Sequence, residues 1–498
     1  MADMVPAAQR IYNEPPHPWG NALRKTKIIA TVGPRTRSPE MLQGLFDAGC
    51  NVIRLNMSHA QHSDSAAIIA DARTLSDRVG ILIDTKGPEI RTTEVEKPFT
   101  LNRGEKVIVR GEEGVTTPDL IRVTYAGMAR IMDEGSMILL DDGRIELEVD
   151  AVGPGELQCT VVRGGPLSSR KGVNVPNVNV KLPFMSEKDE SDIVFAVRQQ
   201  ADFIAASFVS DSEDVLKVKE IVEREGGRCK IISKIESRLA LKNLAEIIQA
   251  SDGIMIARGD LGVEIRAEEV PIVQKRIINA CRQAGKLVIV ATQMLESMTY
   301  NPRPSRAETS DVANAIFEGA DAVMLSGETT VGEYPLDAVR TMSTIAGYAE
   351  REKARHDEPV NLGKAHHVSD LICKSASLAA RELNIKAILV PTSSGNTAIR
   401  MSRYRPTVPI LATTPEMAVA RSLALNFGVY ALPTRHFGRV ESMVRRSCQL
   451  MVDEGLLERE DVIAVVAGVP VGRSGSTNLL TIQPVASLLG KSFGGGGG

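Results

Sequence analysis

The sequence predicts an α/β fold: a (β/α)₈ barrel of the TIM type, with a small β-barrel domain inserted after the third strand and a C-terminal open-sheet α/β domain. Short apolar runs of strand length recur along the chain, and amphipathic stretches such as Ser38–Ala48 and Pro271–Ala284 lie between them. The runs are rich in Ile, Val and Leu without alternation, which is typical of parallel strands covered on both faces. Eight such strand–helix units favour a barrel.

The predicted barrel strands fall into a group of three and a group of five. The first group is Lys27–Gly33, Asn51–Ser58 and Val79–Gly87. The second group is Asp202–Val209, Lys230–Ser237, Gly253–Gly262, Leu287–Leu295 and Asp321–Thr330. Residues 91–185 differ, with short β-rich runs divided by Gly, Pro and Asp turns: Lys106–Arg110, Ser136–Leu140 and Glu146–Val149. This stretch predicts an all-β insertion between the third and fourth barrel units.

A third pattern begins near residue 355, where four apolar runs predict the strands of an open α/β domain. They are Ile385–Val390, Val408–Thr413, Val429–Pro433 and Asp461–Ala467. The expected domains are therefore an N-terminal arm (1–25), the barrel (26–88 and 187–354), the inserted β-domain (89–186), the C-terminal domain (355–492) and a disordered glycine tail (493–498).

Composition and charge exclude several classes of function. The net charge of −3 gives no electrostatic footprint for nucleic acid or anionic lipid. No apolar run approaches the roughly 20 residues that a membrane span needs, and the N-terminus has no apolar signal segment. The six cysteines are scattered without a CxxC pair or a zinc spacing, so they predict buried thiols in a reducing cytoplasm.

Polar residues are concentrated where the predicted barrel strands end. In a barrel of this type the carboxyl ends of the strands meet at one face and carry the catalytic groups. The polar strand ends are Arg54, Asn56 and Ser58; Asp84, Thr85 and Lys86; Lys234 and Glu236; Arg258, Gly259 and Asp260; Thr292 and Gln293; and Ser326–Thr329. The sequence therefore places its candidate site at this face.

Several of these residues have the chemistry of cation ligands. Glu236 and Asp260 lie on neighbouring strands, and two carboxylates suit a Mg²⁺ ion that keeps several waters and binds substrate oxygens. Asn56, Ser58 and Asp84 offer only hard oxygens, which suit a second cation that prefers oxygen ligands.

The remaining strand-end groups suit an anionic substrate. Lys234 supplies a point charge for a phosphoryl group or a developing enolate, and Arg54 has the fork geometry that matches phosphate oxygens. The Gly259–Gly262 turn can present backbone N–H groups to a carboxylate. Together these parts indicate a small phosphorylated carboxylate that is bound with metal ions.

Each element taken alone has a simpler interpretation. Lys234 and Glu236 can form an ordinary rim ion pair, and Asn56 and Ser58 can be strand-end turn formers. The Asp84–Pro88 segment can be only the exit into the inserted domain. Taken together these interpretations are less convincing, because they require that six strand ends on one face all have no function.

A hydroxyl-rich turn lies between a predicted strand and helix of the C-terminal domain. It consists of Thr392, Ser393, Ser394, Gly395, Asn396 and Thr397. Such a turn at a helix N-terminus can cradle a phosphate, but from the residues alone a plain helix cap is the favoured interpretation.

Seven segments resemble motifs of the pyruvate kinase family, and they occur in the family's order with an insertion in the family's place. They are Arg54–His59 (RLNMSH), Asp84–Arg91 (DTKGPEIR), Ser233–Glu236 (SKIE), Ala257–Gly262 (ARGDLG), Ala291–Met298 (ATQMLESM), Arg303–Asn314 (RPSRAETSDVAN) and Met324–Thr329 (MLSGET). The resemblance covers the chain from about Thr26 to the C-terminal domain. It implies transfer of a phosphoryl group between phosphoenolpyruvate and ADP, the last step of glycolysis.

The resemblance also implies roles for individual residues. The catalytic and substrate-binding set is Lys234, Thr292, Arg54, Gly259 and Asp260. The Mg²⁺ (or Mn²⁺) ligands are Glu236 and Asp260, and the K⁺ ligands are Asn56, Ser58, Asp84 and Thr85. The nucleotide contacts are Arg91, Lys171, Asn56 and His59. In this family a glutamate at the position of Glu89 goes with a requirement for K⁺, so K⁺ dependence is expected.

Regulation and assembly are implied in the same way. The resemblance implies a mobile β-domain that delivers Lys171 as a lid, a homotetramer, and an effector site at Thr392–Thr397 closed by the Arg473–Asn478 loop. The effector is either a sugar phosphate or a nucleotide monophosphate. Ala60 and Asp64 depart from the family's pattern, which leaves the contacts to the adenine base and the nucleotide preference open.

Two other functions compete with this one. Another barrel enzyme acting on phosphoenolpyruvate or pyruvate, such as an aldolase or lyase, shares the Mg²⁺ carboxylates but lacks the inserted domain with Lys171 and the K⁺ ligands. A catalytically silent sensor is expected to have lost Lys234 or Glu236, and both are present.

Overall fold

Twenty-four strands account for the sheets in the part of the chain that the computed structural model describes, residues 23–176, 178, 183–356, 367–470 and 477–490. The first barrel strands are β1 (Lys27–Thr31), β2 (Val52–Asn56) and β3 (Gly80–Asp84). The inserted strands are β4 (Ile90–Arg91), β5 (Glu94–Val95), β6 (Phe99–Leu101), β7 (Lys106–Gly111), β8 (Val115–Thr116), β9 (Leu120–Val123), β10 (Met137–Leu140), β11 (Ile145–Gly153), β12 (Glu156–Arg163), β13 (Gly165–Leu167) and β14 (Gly172–Asn174). The later barrel strands are β15 (Phe203–Ala206), β16 (Lys230–Ile235), β17 (Gly253–Ala257), β18 (Leu287–Ala291) and β19 (Ala322–Leu325), and the C-terminal strands are β20 (Ala387–Pro391), β21 (Ile410–Thr414), β22 (Val429–Pro433), β23 (Val462–Gly468) and β24 (Thr477–Pro484).

Helices alternate with the strands of the barrel and of the C-terminal sheet. The described helices are α1 (Pro39–Asp47), α2 (His62–Leu75), α3 (Met128–Ile131), α4 (Glu187–Arg198), α5 (Ser212–Arg224), α6 (Arg238–Lys242), α7 (Leu244–Ala250), α8 (Arg258–Glu264), α9 (Val270–Ala284), α10 (Arg306–Glu318), α11 (Gly327–Thr330), α12 (Pro335–His356), α13 (Val368–Glu382), α14 (Asn396–Arg403), α15 (Met417–Ser422), α16 (Val440–Asp453) and α17 (Val485–Leu489). A 3₁₀ helix spans Glu296–Thr299.

The predicted barrel is confirmed. Its strands close in the order β1-β19-β18-β17-β16-β15-β3-β2, and each predicted run contains one of them. Every residue of β1, β3, β17 and β18 is buried, as expected where helices cover the outside and side chains fill the inside. Parallel closure brings the carboxyl ends of the strands to one face of the barrel.

The chain forms two compact units. The first comprises the chain up to Leu55, Gln61–Leu82 and the chain from Met294; the second comprises Asn56–Ala60 and Ile83–Gln293. In the second unit the insertion forms a seven-stranded sheet in the order β4-β14-β10-β11-β12-β7-β9, and a bridge between Thr92 and Val123 joins its two edges. Alternate residues of β11 and β12 are buried in its own apolar core, so the insertion has the β-barrel character that was predicted.

The C-terminal sheet, in the first unit, has the order β22-β21-β20-β23-β24. The four predicted strands are confirmed, but the sequence prediction missed β24, which pairs antiparallel to β23 at the sheet edge. Thr477 and Asn478, which were assigned to an effector loop, begin this strand. The rest of that loop, residues 473–476, lies outside the described residues.

Two strand ends were also predicted wrongly. The Gly259–Gly262 segment, expected to be a turn, lies in helix α8, and most of Ser326–Thr329 lies in α11. Each short helix starts directly after its barrel strand, so its first N–H groups are at the face that carries the polar strand ends.

Some sequence predictions fall wholly or partly outside the described residues: the N-terminal arm to residue 22 and the glycine tail.

All six cysteines are buried and free of disulfides, and burial raises the pKa of thiols such as Cys50 and Cys229 to about 12. They are therefore inert core residues. None of the described helices has both the length and the apolar character needed to cross a membrane.

Candidate functional site

Lys234 is the centre of a buried charge cluster in the second unit. It lies near the end of β16, and only 12% of its side chain is exposed. Its Nζ lies 2.9 Å from Glu236 Oε1 and 3.4 Å from Asp84 Oδ1, and it donates a hydrogen bond to Ser207 Oγ at 2.8 Å. Three strand ends, those of β3, β15 and β16, thus converge on one ammonium group.

Glu236 carries a strongly perturbed carboxyl group. Burial raises its pKa to about 7, the nearby Lys234 opposes that rise, and repulsion from Asp260 adds to it. Glu236 Oε2 accepts a hydrogen bond from the Phe208 N–H at 2.6 Å, which fixes the direction of the carboxylate. The carboxyl group is held in place and still lacks enough positive charge around it to favour ionisation.

Asp260, in the first turn of α8, is perturbed in the same direction. Burial raises its pKa, Lys234 opposes the rise, and repulsion from Asp142 and Asp84 adds to it. Asp260 thus disfavours ionisation of Glu236, and a divalent cation held by buried carboxylates relieves such repulsion. No group of three or more His, Cys, Asp or Glu side chains poised to hold a metal occurs within the described residues. A cation held by two carboxylates would have coordination positions left for substrate oxygens and water.

The candidate K⁺ ligands form a second group of oxygens. Ser207 Oγ lies 2.7 Å from the Thr85 carbonyl oxygen and 3.2 Å from Asp84 Oδ1. The Met57 N–H donates to the Asp84 carbonyl at 2.9 Å, which ties the segment containing Asn56 and Ser58 to the end of β3. Within that segment the Ser58 N–H donates to Asn56 Oδ1 at 3.1 Å. This donor set is made of hard oxygens and fits a monovalent cation.

Thr292 and Gly259 are in direct contact. The Gly259 N–H donates to Thr292 Oγ at 2.7 Å, and that hydroxyl donates to the Ala291 carbonyl at 2.6 Å. The N–H that was predicted to hold a substrate carboxylate therefore bonds to a hydroxyl oxygen here.

The two candidate phosphate contacts of the inserted domain are brought together by strand pairing. Arg91 lies opposite Gly172 in the register of β4 and β14, next to Lys171. Arg91 donates to Glu89 Oε2 at 2.7 Å and to the Arg170 carbonyl at 2.8 Å. Lys171 Nζ lies 2.8 Å from Asp141 Oδ1. Both cations are thus held by neighbouring oxygens on the same sheet.

Two further candidates are Arg54 and His59. Arg54 is buried in β2, belongs to the first unit, and donates to Thr31 Oγ1 at 3.0 Å. His59 is exposed after the end of β2.

The hydroxyl-rich C-terminal turn links β20 to α14. Gly395 has φ +82° and occupies the N-cap position of α14, and its N–H donates to Thr392 Oγ1 at 3.1 Å. Thr397 Oγ1 lies 2.8 Å from Thr477 Oγ1 at the start of β24. The turn is therefore capped by Thr392 and connected to the edge strand, and both interpretations, phosphate cradle and helix cap, stay predictions.

Sequence reasoning missed Ser207, Asp141 and Arg258 as members of the site. Ser207 follows β15, so the same search for polar residues at strand ends could have found it. Asp141 follows β10 in a run of two aspartates before Gly143, which signals only a turn. Arg258 was noted at the end of its strand without a role, although its guanidinium contacts the carbonyls of Thr292 and Gln293.

Asp189 ties together the two chain segments that connect the barrel to the insertion. Its Oδ1 accepts from the Gly87 N–H at 2.9 Å on the outgoing segment, and its Oδ2 accepts from Ser186 on the returning segment. Gly87 has φ +72°, and an added Cβ would lie 2.8 Å from Ser207 Cβ. The outgoing segment is thus held against the site by one buried carboxylate and a glycine.

The D189A variant is expected to open this connection locally. A hydrogen bond to a charged group contributes about 1.5–3 kcal/mol, so amide exchange in peptides covering Gly87 and Ser186 is expected to accelerate by about tenfold or more. Hydrogen–deuterium exchange read by mass spectrometry measures this. E187Q, which changes an exposed carboxylate on the same helix, is the control, and equal exchange in D189A and the unmodified protein would contradict the role of Asp189.

The chain is similar to known proteins along nearly its whole length. Residues 23–339 match the family described as pyruvate kinase, barrel domain, and 370–483 match pyruvate kinase, alpha/beta domain. A protein named pyruvate kinase from Geobacillus stearothermophilus is 47% identical over 481 residues, 95% of this chain and 82% of the relative. Another, from Clostridium acetobutylicum, is 43% identical over 473 residues, 93% of this chain and 100% of the relative. A solved pyruvate kinase structure from Cryptosporidium parvum has a TM-score of 0.86 at 37% identity, and the match covers 93% of this chain and 96% of that one.

Proposed function

This chain belongs to the pyruvate kinase family, and from that premise we propose how its own residues transfer a phosphoryl group between phosphoenolpyruvate and ADP. It is a phosphotransferase whose substrates are phosphoenolpyruvate or pyruvate and ADP or ATP. The observation that carries the proposal is the position of Lys234, whose ammonium group lies within 3.4 Å of both Glu236 and Asp84.

Lys234 and Arg54 are the groups that compensate the charge of the transferred phosphoryl group. Lys234 is nearly buried, so its charge acts in a low-dielectric environment on a developing enolate oxygen. Arg54 offers a planar fork for phosphate oxygens. Because Glu236 holds Lys234 at 2.9 Å, little reorganisation is needed when negative charge develops.

Glu236 and Asp260 are the proposed ligands of Mg²⁺ (or Mn²⁺), and their raised pKa values support this assignment. Such an ion, when bound, polarises substrate oxygens and offsets the charge of the phosphoryl group. Asn56, Ser58, Asp84 and the carbonyl of Thr85 are the proposed ligands of K⁺.

Thr292 and Gly259 are proposed to act at the other end of the substrate. The Gly259 N–H, with the first turn of α8 behind it, binds the substrate carboxylate. Thr292 lies beside it and orients the proton that is added to the carbon of the pyruvate enolate. Arg91 and Lys171 bind phosphates of the nucleotide, with Asn56 and His59 as further nucleotide contacts, and the inserted domain is proposed to close as a lid that excludes water.

The same premise supports further proposals about regulation and assembly. We propose the division into an arm, a barrel, a lid and a regulatory domain at the boundaries given above, a homotetramer, and a cytoplasmic location. The Thr392–Thr397 turn is the proposed site for a sugar phosphate or a nucleotide monophosphate, supported by its place at the N-terminus of α14.

Pyruvate formation from phosphoenolpyruvate and ADP with Mg²⁺, measured with and without K⁺, tests the proposal directly. We expect activity that requires K⁺, because this chain has a glutamate, Glu89, at the position where the family's K⁺-independent members have a lysine. The E89K variant is expected to be active without K⁺, and E96K, at an exposed glutamate of the same segment, serves as its control. Equal rates with and without K⁺ would reject the potassium site, and no pyruvate under either condition would reject the catalytic assignment.

A further inference from the structure

The end of β18 contains two consecutive residues in a strained backbone conformation. Thr292 has φ +69° and Gln293 has φ +55°. L-residues other than glycine rarely occupy this left-handed region, and a β-branched residue such as threonine is a clear outlier there. Strain of this kind persists only when the surrounding structure enforces it, and it concentrates at functional sites.

One guanidinium group binds the carbonyls of both strained residues. Arg258, whose exposed fraction is 8%, donates from Nε and Nη2 to the Thr292 carbonyl at 3.2 and 2.7 Å. Its Nη2 also donates to the Gln293 carbonyl at 3.0 Å. Both carbonyls of the strained pair are therefore bound by a rigid, planar fork, which a lysine ammonium cannot reproduce.

The same short segment also holds the side chain of Thr292. Arg258 and Gly259 are the first two residues of α8, and the Gly259 N–H donates to Thr292 Oγ1 at 2.7 Å. Two consecutive residues of α8 thus form hydrogen bonds with the carbonyl and the hydroxyl of Thr292. A shift of the Thr292 backbone away from the left-handed region would move its hydroxyl away from the N–H at which the substrate carboxylate is proposed to bind.

We propose that Arg258 is a positioning residue: by binding the carbonyls of Thr292 and Gln293, it holds the Thr292 hydroxyl where the enolate is protonated. This inference rests on the proposed role of Thr292. Arg258 itself does not act on the substrate, and it serves the protonation step more than the phosphoryl transfer that Lys234 supports.

The R258K variant tests the inference through the protonation step. Exchange of the methyl hydrogens of pyruvate with deuterated water, with Mg²⁺, K⁺ and ATP present, is followed by NMR alongside kcat and KM for phosphoenolpyruvate. We expect exchange and kcat to fall by about 10–100-fold, the range typical of a misplaced catalytic group, with KM changed less than threefold or so. Exchange at the unmodified rate would overturn the proposal.

A second-site substitution separates positioning from a general structural role. Glycine adopts φ +55° without strain, so Q293G removes part of the need for the guanidinium. Two ratios of exchange rates are compared: R258K to the unmodified protein, and R258K/Q293G to Q293G. The second ratio is expected to be at least about fivefold higher than the first. A recovery smaller than twofold or so would show that Arg258 acts by another route. If R258K does not fold, the double variant is expected to fold because its turn is relaxed, and failure of both to fold would also reject the proposal.

A variant at Thr292 distinguishes failure of this inference from failure of the proposed function. T292A is expected to slow the exchange of pyruvate hydrogens. If T292A exchanges normally, the proposed role of Thr292 is wrong and the inference about Arg258 fails with it. If T292A is slow and R258K is normal, only the positioning role of Arg258 is rejected.

Discussion

Replacing Lys234 by methionine is expected to lower kcat by about 1,000-fold or more while the chain stays folded. Removing a single uncharged donor from a preorganised site typically costs about 10²–10³-fold, and Lys234 contributes a full charge in a nearly dry position. Its ammonium group lies 2.9 Å from Glu236 and 3.4 Å from Asp84. Loss of that charge takes this ammonium group away from two buried carboxylates.

The effect of K234M on the neighbouring carboxylate has a definite sign. Lys234 lowers the pKa of Glu236 against the effect of burial. Without Lys234 that pKa rises further above about 7, so at neutral pH Glu236 takes up a proton and becomes a poorer metal ligand. Methionine has a similar length and packs well in an apolar environment, so the loss is expected in kcat and not in folding.

Lys230 provides a matched control on the same strand. It lies at the opposite end of β16 and forms a partly exposed ion pair with Asp252 at 3.5 Å. Exposed pairs contribute about 0–1 kcal/mol, so K230M is expected to keep kcat within about twofold. Steady-state kinetics with circular dichroism on both variants settles the matter, and more than about a tenth of the activity remaining in K234M would contradict the proposed role.

The barrel could be predicted because buried parallel strands have a simple sequence signature. Runs such as Leu287–Ala291 are apolar at every position, and such a run has few alternatives in a soluble chain. Helix α8 could not be predicted in the same way. It begins at Arg258 after Ala257, without a capping side chain, and its two glycines are typical of a turn. The edge strand β24 was missed because most of its residues are only partly buried and its pattern is weak.

The candidate site could be located from the sequence because parallel closure gathers all strand ends at one face. The contacts of Lys234 with Glu236 and Asp84 follow from that rule. The strained conformation of Thr292 and Gln293 could not be predicted, since neither residue type signals a positive φ. The pairing of Lys171 with Asp141 depends on the register between β14 and β10, which the sequence of the insertion does not specify.

The second large effect is expected at the carboxylate pair. E236Q and D260N are each expected to weaken Mn²⁺ binding by about 100-fold or more, because even partners behind the ligands typically contribute 10–100-fold in metal affinity. The amide keeps the shape and one oxygen, but it removes the negative charge that a divalent cation requires. Titration of Mn²⁺ by electron paramagnetic resonance, without nucleotide or phosphoenolpyruvate, measures the affinity directly.

Glu264 is the matched control for this experiment, because it is a half-buried carboxylate on the same helix as Asp260. Burial raises its pKa too, yet its described partners are Asn174 and Arg238 and not the Lys234 cluster. E264Q is therefore expected to bind Mn²⁺ like the unmodified protein. The two ligand substitutions act on one ion, so the double variant E236Q/D260N is expected to lose much less than the sum of the single effects. Additive losses would mean that the two carboxylates act independently. Unchanged Mn²⁺ binding in E236Q would mean that Glu236 is not a ligand of the metal.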